Sequence, residues 1–255
     1  MIGIYFSGTG NTQYCVRQFL KVYENQVEMI PIEQADEACE ALNRSDSILI
    51  AYPIYYSNMP KIMSDFIDAQ ATLWRGKQVF ILCTMGLFSG DGAGVAARKL
   101  KRYGAEVLGG LHLMMPDCIC DVKILKRNKE KNTAIVQRAD KKILKAAQRM
   151  KEGHPYHNGL YAVEQIAGFL TQRFWFSPKM KKYSSDLKIE REGCIGCGKC
   201  VVLCPMNNII IDDHKAKANA SCTLCYRCVQ QCPQQAITLI GKRVVVQHSI
   251  TDFIE

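Results

Sequence analysis

The chain has 255 residues, 48% of them apolar, and a formal net charge of +9. That length holds one large domain, or a medium and a small one, with a real core, and no apolar run approaches the ~18 residues of a membrane-spanning helix. The positive charge is mild, 21 Lys and Arg against 15 Asp and Glu over residues 1–151, and no nucleic-acid reader fold accompanies it.

The first residues, MIGIY, are an apolar strand pattern that leads straight into FSGTGNT at 6–12. No basic n-region precedes them, so they read as no signal peptide, and the expected compartment is the cytoplasm. Strands are predicted at Ile2–Phe6, Val27–Ile32, Ser47–Tyr52, Gln78–Thr84 and Glu106–Met114. Helical patterns fill the intervals near 11–23, 35–43, 60–72 and 91–103, and another follows near 133–151. Strand–helix alternation at this spacing predicts an α/β fold, a parallel sheet covered on both faces, and the Ile-, Val- and Leu-rich runs suit buried parallel strands.

Residues 116–132 break the rhythm as a long loop with a basic end, and GHPYHNG at 153–159 closes the first domain, set at 1–152. Residues 160–176 are apolar and aromatic at helical spacing and predict a connecting helix, followed by a polar linker; the whole connector spans 153–185. A small domain at 186–245 and a tail at 246–255 complete the chain.

Thirteen cysteines are many for a reducing compartment, and eight fall within 194–232. Clustered cysteines there read as metal ligands before disulfides. CIGCGKCVVLCP and CTLCYRCVQQCP repeat with an offset of 28 residues, which predicts two equivalent halves. Each is C-x2-C-x2-C-x3-C-P, the spacing that wraps a 4Fe–4S cubane, the last Cys of each run reaching the other cluster. One site takes Cys194, Cys197, Cys200 and Cys232, and the other takes Cys222, Cys225, Cys228 and Cys204. Zinc uses paired C-x2–4-C units with four ligands per ion, which leaves the tandem runs unexplained. This segment resembles a two-cluster bacterial-type ferredoxin, which implies low-potential one-electron transfer. The resemblance stops at charge: residues 186–255 carry eight basic and seven acidic side chains, without the acidic face common in such ferredoxins.

FSGTGNT has the make-up of a phosphate loop. The ATP loop requires a Lys before its Ser or Thr, and none precedes Thr12; the dinucleotide fingerprint requires a third Gly, and Gln13 stands there. What remains is Ser7, Gly8, Thr9, Gly10, Asn11 and Thr12 at the start of a helix, where backbone N–H groups attract an anion and hydroxyls add donors. A phosphate monoester on a small cofactor points to FMN, in a sheet of order 2-1-3-4-5. The first domain resembles flavodoxin, and SGTGNT matches that family's phosphate loop. The resemblance implies two further loops that grip the flavin ring. One carries Pro53, Ile54, Tyr55 and Tyr56, either tyrosine able to stack; the other carries Thr84, Met85, Gly86, Phe88 and Asp91, with Phe88 a stacking candidate.

Both halves together resemble the flavodoxin–ferredoxin fusion proteins of anaerobes, which implies electron transfer between two 4Fe–4S clusters, FMN and a redox partner. An FMN-dependent reductase of a small oxidised substrate and an iron- or redox-responsive binding module are the alternatives. Cys118 and Cys120, just past the last strand on the same sheet edge as the flavin, read as a buried or incidental pair, a redox pair, or a pair that flanks the ring. The stretch 123–151, with 11 basic and two acidic residues, reads as a solvated helix face or a docking face for an acidic partner. The five histidines show no ligand spacing, and no paired carboxylates or Ser-His-Asp set stands out.

Overall fold

The computed structural model describes residues 1–55, 58–164 and 182–254. Its first unit runs β1 (Ile2–Tyr5), α1 (Asn11–Glu24), β2 (Met29–Pro31), α2 (Ala35–Arg44), β3 (Ser47–Pro53), α3 (Lys61–Ala69), β4 (Gln78–Met85), α4 (Gly92–Arg102), β5 (Glu106–Met114) and α5 (Lys129–Lys151). The strands pair in parallel in the order β2-β1-β3-β4-β5. Successive strand residues face opposite ways, and the two cores follow from that. Ile48, Ile50 and Tyr52 of β3 face one core, shared with Leu42, Met63 and Leu100 of α2, α3 and α4. Leu49 and Ala51 face the other, shared with Phe19 of α1 and Ile143 of α5. The doubly wound α/β reading is what the chain adopts.

Boundaries moved where caps and edges act. α5 starts at Lys129, inside the stretch expected as loop, because the Asn128 side chain accepts a hydrogen bond from the Lys131 N–H at 3.1 Å. β2 is shorter than expected because it is an edge strand with only β1 to pair against. The stretch 153–159 covers the other edge: Gly110 N–H donates to the Tyr156 carbonyl at 2.7 Å, and Asn158 N–H to the Gly110 carbonyl at 2.9 Å. Such cover blunts an exposed edge against pairing with other chains. The expected connecting helix at 160–176 lies, beyond residue 164, outside the described residues.

The second unit holds β6 (Lys188–Ile189), α6 (Lys199–Leu203), β7 (Ile209–Asp212), β8 (Lys215–Ala218), α7 (Arg227–Gln231) and β9 (Ile237–Thr238). β6 pairs with β9, and β7 with β8, both antiparallel. The 28-residue repeat is written in the backbone. Gly196 and Gly198 have φ 67° and 71°, and their counterparts Leu224 and Tyr226 have 63° and 61°. The tail then turns back onto the first unit. Ile250 and Phe253 are buried in the core that α1 and α5 share, a contribution of about 1.5–3 kcal/mol for each side chain fully buried.

Candidate functional site

At the carboxyl ends of β1, β3, β4 and β5 lies a cavity of about 300 Å³. The phosphate loop supplies Ser7, Gly8, Thr9, Asn11 and Thr12 to its lining. α1 starts at Asn11 with no side-chain cap and no acidic residue in its first turn. Its first N–H groups have no acceptor inside the helix, so the positive end is left for an anion. Gln13 N–H goes to Ser7 Oγ at 3.3 Å. The loop is pinned from below by a 2.8 Å bond between the Thr12 and Thr84 hydroxyls, and sideways by the Asn11 amide on the Pro116 carbonyl at 2.8 Å. These three side chains therefore shape the cradle as well as line it. Gly10 caps α1 in the left-handed region at φ 92°; a Cβ there would stand 2.6 Å from Ile250 of the tail, and Gly10 lies outside the lining.

The loops after β3 and β4 bring Pro53, Ile54, Tyr55, Thr84, Met85, Gly86 and Phe88 to the same cavity. Tyr55 is buried, with burial pushing its hydroxyl far above the usual phenol range. Phe88 and its neighbour Leu87 are 54% and 57% exposed at the mouth. Tyr56 lies outside the described residues. Asp91 is placed elsewhere: it begins α4, fully buried, its carboxylate ion-paired with Arg98 at 2.8 Å.

Sequence reasoning set Cys118, Ile119 and Cys120 at this sheet edge, where they could flank a ring, and missed the rest of the wall. Met115, Pro116, Asp117, Cys118, Ile119 and Leu125 line the cavity from beyond β5, and Leu224 and Tyr226 line it from the cysteine-rich unit. The β5 end was legible from the sheet order, since every carboxyl-end loop opens to the same crevice. The two residues from the second cysteine run had no such signal.

The cysteines collect as two sets of four. Cys194, Cys197, Cys200 and Cys232 surround one small cavity, and Cys204, Cys222, Cys225 and Cys228 surround another. Among the described residues, no three Cys, His, Asp or Glu side chains close on a single-ion site. Backbone N–H groups point at several sulfurs: Ala216 to Cys194 at 3.4 Å, Leu224 to Cys222 at 3.3 Å, and Asn208 to Cys204 at 3.2 Å. Such donors favour thiolate; the Ala216 bond leads in holding the Cys194 thiol below its usual range. In the second set burial wins, pushing Cys222 up to about 11 and Cys225 up to about 12. Thiols there become ligands only when a metal's own charge displaces the proton. Four sulfurs per cavity in an apolar shell, several already accepting N–H bonds, fit the donor chemistry of an iron–sulfur cluster.

The second set lies against the cavity. A Cβ on Gly8 would stand 2.4 Å from the Cys225 carbonyl oxygen and 2.8 Å from the Tyr55 hydroxyl, so only glycine permits that approach. Arg227 donates to the Ser7 carbonyl from Nε at 3.1 Å and from Nη2 at 2.7 Å, and pairs with Glu33. The segment beyond β5 is held the same way. Gln230 donates to the Cys118 carbonyl at 2.8 Å, Val245 N–H to that of Cys120 at 2.8 Å, and His248 Nε2 to that of Asp117 at 2.9 Å. Burial pushes the Cys118 thiol well up and Cys120 up to about 12. Cys120 is buried and Cys118 half-buried at the cavity; their carbonyls bind the other unit.

His112 has a structural post. Its Nε2 accepts the Ala93 N–H at 3.1 Å, so the proton sits on Nδ1 and goes to Ser89 Oγ at 2.7 Å. Burial, then the nearby Lys142 charge, lower its pKa to about 4.

A family model described as a flavodoxin domain matches residues 2–121, and one described as a 4Fe–4S dicluster domain matches 175–237. Among solved structures, the two-electron reduced flavodoxin of Megasphaera elsdenii is 26% identical over 46% of this chain and 89% of that one, with a TM-score of 0.39. A flavodoxin from the domain Archaea is 18% identical over 59% and 97%, TM-score 0.41. Fusobacterium nucleatum flavodoxin bound to flavin mononucleotide is 15% identical over 60% and 98%, TM-score 0.42. No curated protein sequence matches the chain.

Proposed function

For a chain that joins a flavodoxin domain to a 4Fe–4S dicluster domain, we propose an electron-transfer role that passes low-potential electrons between two 4Fe–4S clusters and one FMN, and on to a redox partner. The observation that carries the reading is the seating of the second cysteine set against the phosphate loop, with the Cys225 carbonyl against Gly8. When bound, clusters supply single electrons and FMN exchanges one or two, and the chain's part is to hold the cofactors close.

Ser7, Gly8, Thr9, Asn11 and Thr12 would hold the phosphate, with the N-terminus of α1 as its counter-charge. Pro53, Ile54, Tyr55, Met85, Gly86 and Phe88 would hold the ring. Asp91 is better read as an anchor of α4, through Arg98. Cys194, Cys197, Cys200 and Cys232 would hold the outer cluster, and Cys204, Cys222, Cys225 and Cys228 the inner one. Cys197 is exposed and Ile195 beside it is 61% exposed. That supports the outer site as the port for a protein partner. The open mouth at Leu87 and Phe88 supports a carrier over an enzyme with an enclosed substrate pocket. Among the described residues no helix is long and apolar enough to cross a membrane.

Anaerobic purification with cofactor analysis tests the reading. About one FMN and about eight irons per chain are expected, with flavin absorbance near ~450 nm above a broad cluster band near ~400 nm. Iron near two, or zinc in its place, overturns the cluster assignment, and absence of flavin overturns the main reading. Turnover with small acceptors would then favour the reductase.

A further inference from the structure

Resting on the flavin reading above, we propose that the flavin site is a two-domain site. Its closing wall is the second cysteine run, with Leu224 and Tyr226 as flavin-facing residues, so FMN affinity is tied to assembly of the cluster at Cys204, Cys222, Cys225 and Cys228. Three independent observations carry this.

The first is the cavity lining. Leu224 and Tyr226 face the same cavity as the phosphate loop and the loops after β3, β4 and β5. Both are almost wholly buried, at 4% and 3% exposure. Among the described residues, Tyr226 alone lines both this cavity and the one ringed by the second cysteine set. One side chain thus partitions two cofactor sites.

The second is the repeat. At the matching positions of the first run the chain uses Gly196 and Gly198, at φ 67° and 71°. The second run keeps that left-handed backbone, φ 63° and 61°, but carries Leu and Tyr. A β-carbon in the left-handed region is strained. At Gly198 an added Cβ would meet nothing within 4 Å, so a side chain there would gain no contact in return for the strain. At Gly196 a Cβ would stand 2.2 Å from the His214 carbonyl oxygen, so packing keeps glycine there; Leu224 and Tyr226, in the run that meets the flavin cavity, have a surface to complete.

The third is rigidity. The Tyr226 hydroxyl donates to Asp121 Oδ1 at 3.0 Å, while Oδ2 takes the N–H groups of Leu239 at 2.7 Å and Ile240 at 3.0 Å. The wall is therefore locked to the first unit and to the two residues that follow β9. Cys222 and Cys225 flank Leu224, and Cys225 and Cys228 bracket Tyr226. Ligation of these sulfurs fixes the backbone that carries the wall, and linkage requires the converse effect of equal size.

The full chain, prepared anaerobically, is titrated with FMN and followed by flavin fluorescence, with iron per chain as a second readout. L224G restores the residue of the first run, suits the left-handed backbone and keeps the Tyr226–Asp121 bond. It is expected to bind FMN about tenfold more weakly than the native chain with iron unchanged. C225S is expected to lose inner-site iron and to weaken FMN, whereas C197S, at the outer site, loses iron and keeps FMN affinity within about twofold. An L224G dissociation constant within about twofold of native overturns the proposal. If L224G itself loses iron, the cysteine pair decides, and equal FMN affinity in C225S and C197S overturns it. A native chain that binds no FMN fails one step earlier, at the flavin reading.

Discussion

Single atoms decide the site at Gly8 and the pH dependence of stability at His112. Gly8 lies between the Cys225 carbonyl and the Tyr55 hydroxyl, and a methyl there would overlap both. Gly8→Ala is therefore expected to push the cysteine-rich unit off the phosphate loop. It should destabilise the chain by about 1–3 kcal/mol, as overpacking does, and weaken FMN in parallel, as read by denaturant melts and flavin fluorescence. His112 makes a pH prediction. Its folded pKa of about 4 lies below its ordinary value of 6.5, so the unfolded chain takes the proton first. The stability it protects is intact above pH about 6.5 and drains as pH falls toward about 4, by about 3 kcal/mol in all. Urea unfolding across that window checks the slope, which a His112→Gln variant should lose.

At the scale of elements, the loop-to-helix turn and the cysteine runs carry the chemistry. α1 lacks a side-chain cap and an acidic first turn, whereas α5 has both Asn128 and Glu130; the N-terminus that meets the cavity is left electrically unsatisfied, and α3 and α4 likewise lack both. In the first cysteine run Gly196 holds φ 67°, and a Cβ would stand 2.2 Å from the His214 carbonyl oxygen. Gly196→Ala is expected to disrupt the outer site and leave the inner one, so iron should fall from about eight to about four per chain while FMN stays bound. These elements were legible in the sequence. The 28-residue offset, the strand–helix alternation and SGTGNT are local patterns, each spelled by residues near one another. Boundaries were less legible: the Asn128 cap took the start of α5 four residues into the expected loop, and Asp91, read from a loop position, turned to Arg98 because a buried carboxylate needs a charged partner.

Across the whole molecule, Asp121 is one of the groups that join the two units. That buried carboxylate accepts three hydrogen bonds from the cysteine-rich unit. Asp121→Ala would leave a hydroxyl and two N–H groups without their acceptor, at about 1–3 kcal/mol for each buried group left unmet. The expected outcome in calorimetry is two separate unfolding transitions where the native chain shows one. The tail adds to the clamp, with Ile250 and Phe253 in the core of the first unit.

By itself the sequence determined the sheet order, the phosphate loop and the grouping of the cysteines, since backbone periodicity and ligand spacing are set over a few residues. Only the tertiary structure decided that the second cysteine run lines the cavity at the carboxyl ends of the sheet, that Gly8 must be bare for Cys225, and that the Cys118 and Cys120 carbonyls bind the other unit. Those contacts join residues as far as 220 positions apart, as Arg227 and Ser7 are. No local pattern records such a pairing; it exists only once burial has packed one unit against the other.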